Sequence, residues 1–523
     1  MRLIKEEKER EEGKLRMKLS DEKKRRGCGN ISDFKLPIPP TKLRVRQPAH
    51  AVSEEYIEKY KTAVQLMKDL PDSDPRSFKN QANVHCAYCE GSYDQLLAQD
   101  KKFEFQVHHS WLFFPFHRWY LYFYERILGK LIDDPTFALP FWNWDSPLGM
   151  TMPRIYTDDP NSPLYDRLRS TSHQPPTLLD FNYNKNSPQY SEGRSVIRSN
   201  LTYMYRQMVS NAKNPEMFFG CPFRAGETPE TGPGSIENVP HDIVHLWSGD
   251  DTQCHNEDLG SFHSAGRDPM FFAHHSNVDR MWYLWKNKLG GKYNRDFDDS
   301  DWLNTEFYFY DEKAELVRVK IRDCLDNEKQ LGYTYKEVDL PWLYSKPIPL
   351  SKRAMKSLNF DDPKFLKAAD GIKYVLDRSP IKVLVPLPKK KNRLLRSLDE
   401  KESVEEVLEI EGITFDTNQH VKFNVYVNDE DVDNPCYSEF AGSFVNVPHY
   451  SNSKSVKKTC LRLGLSDLLD AMEVEDDEYV IVTLKPFHIN NRVTIDSINI
   501  ELVHNSHYKP SRPPIPGKVE ELS

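Results

Sequence analysis

The sequence predicts an α+β, multi-domain chain: a mainly α-helical bundle that holds a metal centre, followed by a C-terminal all-β sandwich. Three observations carry that reading. Apolar residues recur at helical spacing in long stretches, 51–69, 107–128, 194–211 and 240–285 among them. Histidines stand on or beside two of these stretches in groups of three. From about Pro380 the pattern turns to short runs suited to strands: IKVLVPLP, EVLEIEGITF, VKFNVYVND, YVIVTLKPF and VTIDSINIELV.

Length and composition set the bounds. A chain of 523 residues has room for more than one core. Its net charge of −8 argues against general affinity for nucleic acid or anionic membranes. No run approaches the roughly eighteen apolar residues of a membrane span. Residues 1–27 are a mixed-charge segment with few apolar residues, expected to be disordered. The helical domain is expected over 28–344, and a protease-sensitive linker rich in proline and lysine over 345–377. The sandwich follows over 378–510, with a charged hairpin tip, PKKKNRLLRSLDEKESVEE, between its first two strands, and a tail over 511–523. Eight cysteines are too few for a disulfide scaffold of this size. Cys221, Cys254, Cys324, Cys436 and Cys460 read as small buried hydrophobes.

Within the helical part, residues 33–46 read as an extended arm and 51–69 as a helix closed by Pro71. His85 lies in QANVHCAYCEGSY. His108, His109 and His117 lie in VHHSWLFFPFHRWYLYFYERIL, with His117 opening an apolar helix. PFWNWDSP at 140–147 reads as an aromatic turn packed in the core, and 150–195 as mostly loop. A second loop delivers Glu237 four residues before His241. His241 and His245, four apart, share a helix face and can bind one metal. A further helix carries His274, His275, Asn277, Asp279 and Arg280. Zinc hydrolases place a glutamate after the first histidine of such a pair; here Asp242 stands there. Two all-imidazole sets point instead to copper and dioxygen chemistry.

These two histidine segments, with Asp301-Trp302-Leu303 and Lys422-Phe423-Asn424-Val425-Tyr426 in that order, resemble the plant polyphenol oxidases (catechol oxidase/tyrosinase) of the type 3 copper family. The resemblance runs from about Gly27 to His507. It implies that His85, His108 and His117 hold one copper ion and His241, His245 and His275 the other, with His109 and His274 outside the ligand set. It also implies a thioether between Cys89 and His108 and a disulfide between Cys28 and Cys86; the cysteines for the family's second N-terminal bridge are missing.

By the same resemblance, Glu237 positions a water that helps deprotonate an incoming phenol, and Phe262 overhangs the metal pair as a gate. Asp242 and Leu246, each following a ligand, influence whether monophenols are hydroxylated as well as diphenols oxidised. His263 stands where tyrosine is usual, and Asn424 where the motif has aspartate, on an expected surface or turn. Asp279 and Asn277 are candidates to hold the imidazole rings. Tyr333-Thr334-Tyr335 marks the end of the catalytic domain, and EFAGSF at 439–444 belongs to a C-terminal shield that keeps the enzyme latent until a protease cleaves or displaces it. The implied activity is oxidation of o-diphenols to o-quinones, with dioxygen as co-substrate reduced to water. The implied compartment is the thylakoid lumen of the plastid, although no transit peptide is visible. A specialised oxidase acting on chalcones (aurone formation) or lignans shares these motifs, as does a hemocyanin-like oxygen carrier.

Overall fold

The helices that carry the histidines form because their apolar residues have somewhere to go on every side. In the computed structural model, residues 31–505 are described apart from 39–41, 90–93, 97–101, 184–192, 228–230, 290–293, 350–364, 369–372, 389–402, 429–434, 450–455, 475–476 and 490–491. Helix Phe113–Leu131 is buried on nearly all faces, as an all-round apolar helix must be. It packs against helix Met270–Asn287, also buried almost throughout. The latter starts at Asp268, whose Oδ1 accepts the Met270 amide at 2.7 Å and satisfies one open donor of the first turn. Helix Glu54–Asp69 covers the outside with Tyr60, Ala63, Val64 and Met67 turned inward. Its first turn is capped by the Ser53 hydroxyl, which accepts the Tyr56 amide at 3.2 Å. Helix Phe78–Cys89 brings His85 into the bundle.

After the bundle, Ser300–Asn304 forms a short helix capped by Asp299, so Asp301-Trp302-Leu303 is helical. The antiparallel pair Glu306–Tyr310 and Leu316–Lys320 follows, with Phe307, Phe309, Val317 and Val319 on the buried face. Tyr333–Tyr335 pairs in parallel with Arg44–Arg46, so the N-terminal arm and the end of this domain close on each other.

The C-terminal part is two facing sheets. One runs Phe440–Asn446, Val421–Val427, Tyr479–His488, Ile381–Pro386 and Leu366–Lys367. The other is organised on the long strand Val404–Asp416, flanked by Val456–Gly464 and Ser497–His504. Between them lies an aliphatic core of residues such as Val383, Leu408, Ile410, Val425, Leu463 and Val482. The strand Val456–Gly464 and the short helix Ser466–Ala471 were not among the sequence-predicted elements. The expected hairpin tip falls almost wholly on 389–402, and the N-terminal segment, Cys28 and the tail on 1–30 and 506–523; all lie outside the described residues.

Three expectations need correction. Asn424 is neither on a surface nor in a turn: it is fully buried in mid-strand, donating to Asn182 and Tyr426 and accepting from Ser443 Oγ at 2.6 Å. A buried amide with partners on both sides suits that interior as well as a carboxylate would. Cys254 is exposed rather than buried. Cys460 is only half-buried and faces Cys221 from across the domain boundary.

Candidate metal centre

Six buried imidazoles meet in the core of the bundle. His85 comes from helix Phe78–Cys89, His108 from the turn before helix Phe113–Leu131, and His117 from that helix. His241 ends the segment Glu237–His241, whose backbone is extended at Val239 (φ −144°, ψ 129°), His245 lies on helix Asp242–Ser248, and His275 on helix Met270–Asn287. Glu237 stands on the far side of that break from His241. The rings of His85, His108 and His117 form a near-equilateral triangle, with centroids 5.4, 5.5 and 5.3 Å apart. Those of His241, His245 and His275 form a second, with sides of 4.6, 5.0 and 5.5 Å. The triangles face each other: His117 stacks on His275 at 4.1 Å and His108 on His241 at 5.7 Å.

Hydrogen bonds divide five of the six rings into an anchored and a presented side; Nδ1 of His275 is buried without a partner. Nδ1 of His85 pairs with the Phe262 carbonyl at 2.8 Å, that of His117 with Phe113 O at 2.8 Å, and that of His245 with Leu259 O at 2.7 Å. Nδ1 of His241 has Glu237 O at 3.2 Å and Asp242 Oδ1 at 2.9 Å, and that of His108 has Gln106 Oε1 at 3.3 Å. A carbonyl accepts, so Nδ1 carries the proton and Nε2 is left with its lone pair. The Nε2 atoms of His85, His108, His117 and His241 are buried without a protein partner, and those of His245 and His275 face each other at 3.3 Å. Buried polar atoms are otherwise almost always paired, so this cluster of lone pairs is a metal-binding signature. Ligand atoms of His241, His245, His274 and His275 lie within 4.8 Å of one another, as do those of His85, His117 and His275, and of His85, Cys89 and His108.

Burial, reinforced by the neighbouring rings, drives His85, His108, His117, His245 and His275 well below the usual imidazole range, and burial takes His241 down to about 3. All six are neutral at ordinary pH, the form that coordinates a metal.

His274 is handled differently. Its Nδ1 accepts the Trp144 indole N–H at 3.2 Å, so the proton sits on the other nitrogen. The expected ring-holding role of Asp279 is not seen: its carboxylate takes Arg118 at 2.5 Å, Arg46 at 3.3 Å and the hydroxyls of Tyr333 and Tyr335. Asn277 likewise bonds Asp145 and Arg280. Main-chain carbonyls hold most of the rings instead. Such contacts are set by backbone path, which no residue type announces.

Glu237 is fully buried, with Oε1 accepting the His109 amide at 2.5 Å. His109 is in the left-handed region (φ 57°), a conformation disfavoured for a side-chain-bearing residue, and this turns its N–H toward Glu237. Burial, followed by the Asp242 charge, pushes the Glu237 carboxyl well up, and burial does the same to Asp242. Phe262 lies flat on His108, centroids 4.0 Å apart and 7° between planes. Leu246 packs in the main core, and its carbonyl accepts from Asn256. His263 turns away to the Ser261 hydroxyl at 2.7 Å, with His255 beyond it. His449 was missed by sequence reasoning: it comes from the sandwich and meets Phe262 edge-on, with ring centroids 5.1 Å apart. It follows Val447 and Pro448 with no periodicity to single it out.

A helical bundle that brings six neutral, buried imidazoles together, five of them anchored through Nδ1, defines a metal-binding class of protein. Comparison with known proteins narrows it. The description "Common central domain of tyrosinase" matches residues 75–288, "Polyphenol oxidase middle domain" 296–348, and "Chloroplastic Polyphenol Oxidase C-terminal domain" 373–502. A chloroplastic polyphenol oxidase of Malus domestica is 57% identical over 484 residues, covering 90% of this chain and 79% of the relative. Aureusidin synthase of Antirrhinum majus is 50% identical, covering 90% and 83%. The solved structure of latent apple tyrosinase superposes with a TM-score of 0.83 at 56% identity, covering 90% of this chain and all of that one. The chain belongs to the plant polyphenol oxidase family and is an oxidoreductase of the tyrosinase type.

Proposed function

We propose that this chain oxidises o-diphenols to o-quinones while dioxygen is reduced to water, at a pair of copper ions. His85, His108 and His117 would hold one ion, and His241, His245 and His275 the other. The observation that carries the reading is the set of buried Nε2 lone pairs converging from anchored rings. When bound, the two ions supply the one-electron steps that let dioxygen accept electrons from a phenol.

The rest is done by the chain. A phenol has a pKa near 10 and binds a metal as phenolate, so an acceptor for its proton lowers the barrier. Glu237, beside His109 and Asp242 at the wall of the cavity, is placed for that through a water. Phe262 covers the cavity with an apolar face that admits a flat ring and excludes bulk water. Asp242 orients His241, and with Leu246 sets the balance between hydroxylation and oxidation. Cys89 lies beside His108 and would fix that ring by a thioether. The sandwich closes the mouth, so the chain is made latent; displacing it, with or without a protease cut in the linker, exposes the site.

Chloroplastic relatives support a plastid location, within which the thylakoid lumen is our reading. Aureusidin synthase is nearly as similar as the polyphenol oxidases, which supports a second reading, a specialised oxidase of chalcone-type phenols. The test is to load purified protein with copper, displace the sandwich, and follow oxygen uptake and quinone formation with catechol and with a chalcone. Two copper ions per chain and steady turnover of catechol are expected. Retention of zinc alone, or oxygen binding without turnover, would overturn the reading, and turnover of the chalcone only would favour the second.

A further inference from the structure

We propose that Cys221 and Cys460 form a disulfide that ties the sandwich covalently to the wall of the metal-site domain. The two sulfurs lie 3.5 Å apart although the residues are 239 positions apart in sequence. A disulfide draws its sulfurs to about 2.05 Å, a closure of roughly 1.5 Å that side-chain rotation supplies. Both residues hang from one short segment: the Cys221 amide donates to Gly232 O at 2.9 Å and the Cys460 amide to Thr231 O at 3.1 Å. Thr231 also donates its hydroxyl to Lys458 O at 2.6 Å and accepts from Thr459 at 2.9 Å, so the register of strand Val456–Gly464 is fixed there. Gly232 leaves the space that the sulfurs fill. A Cβ at that position would stand 2.5 Å from Cys460 Sγ and 2.7 Å from Cys221 Sγ.

The surroundings favour reaction as well as proximity. Arg462 donates to Cys221 Sγ at 3.1 Å and is itself held by Glu216 at 2.8 Å and Glu409 at 2.9 Å. The hydrogen bond from the Cys221 thiol, and after it the Arg462 guanidinium, hold the Cys460 thiol below its usual range. Cys460 is also the more accessible of the two, with Cys221 buried. It is therefore the sulfur that attacks first.

The oxidant is a small disulfide of the oxidised-glutathione class. Cys460 thiolate attacks it, forming a mixed disulfide and releasing one thiol. Cys221 then displaces the second thiol from Cys460. Two cysteine thiols are oxidised, one external disulfide is reduced, and the two cysteine protons end on the released thiols. The bridge would close on the backbone that shapes the site, because Gly232 also donates to His109 O at 2.9 Å and Trp111 to Cys221 O at 2.9 Å.

The test uses the full chain and does not depend on its catalytic reading. The protein is incubated with oxidised glutathione, alkylated without reductant, and digested with trypsin. Residues 214–224 (NPEMFFGCPFR) and 459–462 (TCLR) carry the two cysteines. They are expected as one joined species, lighter than the two free peptides together by two hydrogens and split by dithiothreitol. The Cys254→Ser variant is expected to keep the joined species, and Cys460→Ser to yield residues 214–224 alkylated. Recovery of both peptides separately alkylated from oxidised wild type, or joined to other cysteines, would overturn the proposal.

Discussion

Asp279 shows how much a single buried charge holds in this protein. Burial alone would raise its carboxyl; the Arg118 and Arg46 guanidinium groups reverse that and hold it below the usual carboxylate range. Both cations are themselves fully buried, and Arg118 lies over the Trp282 ring at 3.5 Å. Removing one partner of such a set leaves uncompensated charge in the core, at a cost of about 3–5 kcal/mol. Asp279→Asn is therefore expected to lower the melting temperature by about 3–7 °C, read by calorimetry. The sign of its pH dependence follows from the depressed value. Asp279 stabilises the fold above the unfolded carboxylate pKa of about 4, and that contribution fades only as pH falls through its lower folded value. The two adjacent histidines separate at the same scale. His275 faces His245 through Nε2 while His274 accepts a hydrogen bond from Trp144, so His275→Gln should lower bound copper by about one ion per chain, and His274→Gln should leave it nearly unchanged. Copper analysis of the purified variants decides it; equal losses would mean that both rings ligate.

Elements reveal what the sequence could and could not announce. The helices around His117 and His275 were legible because their apolar residues repeat over many turns, and the pair His241 and His245 because a four-residue spacing has one helical meaning. Strand Val456–Gly464 was not, since its outward side is lysine-rich and its inward alternation is clear only near Leu461 and Leu463. The anchoring of the rings by carbonyls, the burial of Asn424 and the facing of Cys221 by Cys460 all depend on which elements meet, information a linear pattern does not carry. Glu405 is a further case. It falls in the expected solvated hairpin tip, yet it lies in strand Val404–Asp416, buried near Lys213, with Oε1 accepting the Ser466 amide at 3.0 Å. Burial, only partly offset by Lys213, raises its carboxyl to about 8. The folded state then keeps a proton that the unfolded chain loses near pH 4, so this contribution to stability is full below pH 4 and declines as pH rises to 8. At 1.36 kcal/mol per unit the decline is at most roughly 5 kcal/mol. Glu405→Gln, which keeps the acceptor oxygen, should flatten the fall of melting temperature between pH 5 and 8 and raise it at pH 8. An unchanged slope would show that Glu405 does not titrate there.

At the scale of the whole molecule, the sandwich is less an appended lid than a continuation of the bundle. Tyr426, Phe440, Val445 and Val447 belong to the same apolar core as the helices around the metal centre. Asn238, three residues from His241, donates to Ser443 O at 2.5 Å and accepts the Val445 amide at 2.9 Å, so it completes an edge of the sandwich's own sheet. Arg206 donates to the carbonyls of Tyr437 and Ser438, Lys422 to Tyr183 O, and Gly464 to Asn211. Each of these is buried or part-buried, and losing one leaves a polar group without a partner. An interface of this kind outlasts the chain that crosses it. Cutting within the linker, at 350–364, is therefore expected to leave both fragments together on size exclusion and to raise catechol oxidation little. His449 would still stand against Phe262 until the sandwich is displaced by mild acid or dilute detergent. His449→Ala in the uncut chain should release a small part of the activity, because the strand edge on Asn238 keeps the mouth covered. Full activity on cleavage alone, with the fragments still co-eluting, would show that the linker and not the docked sandwich blocks the site.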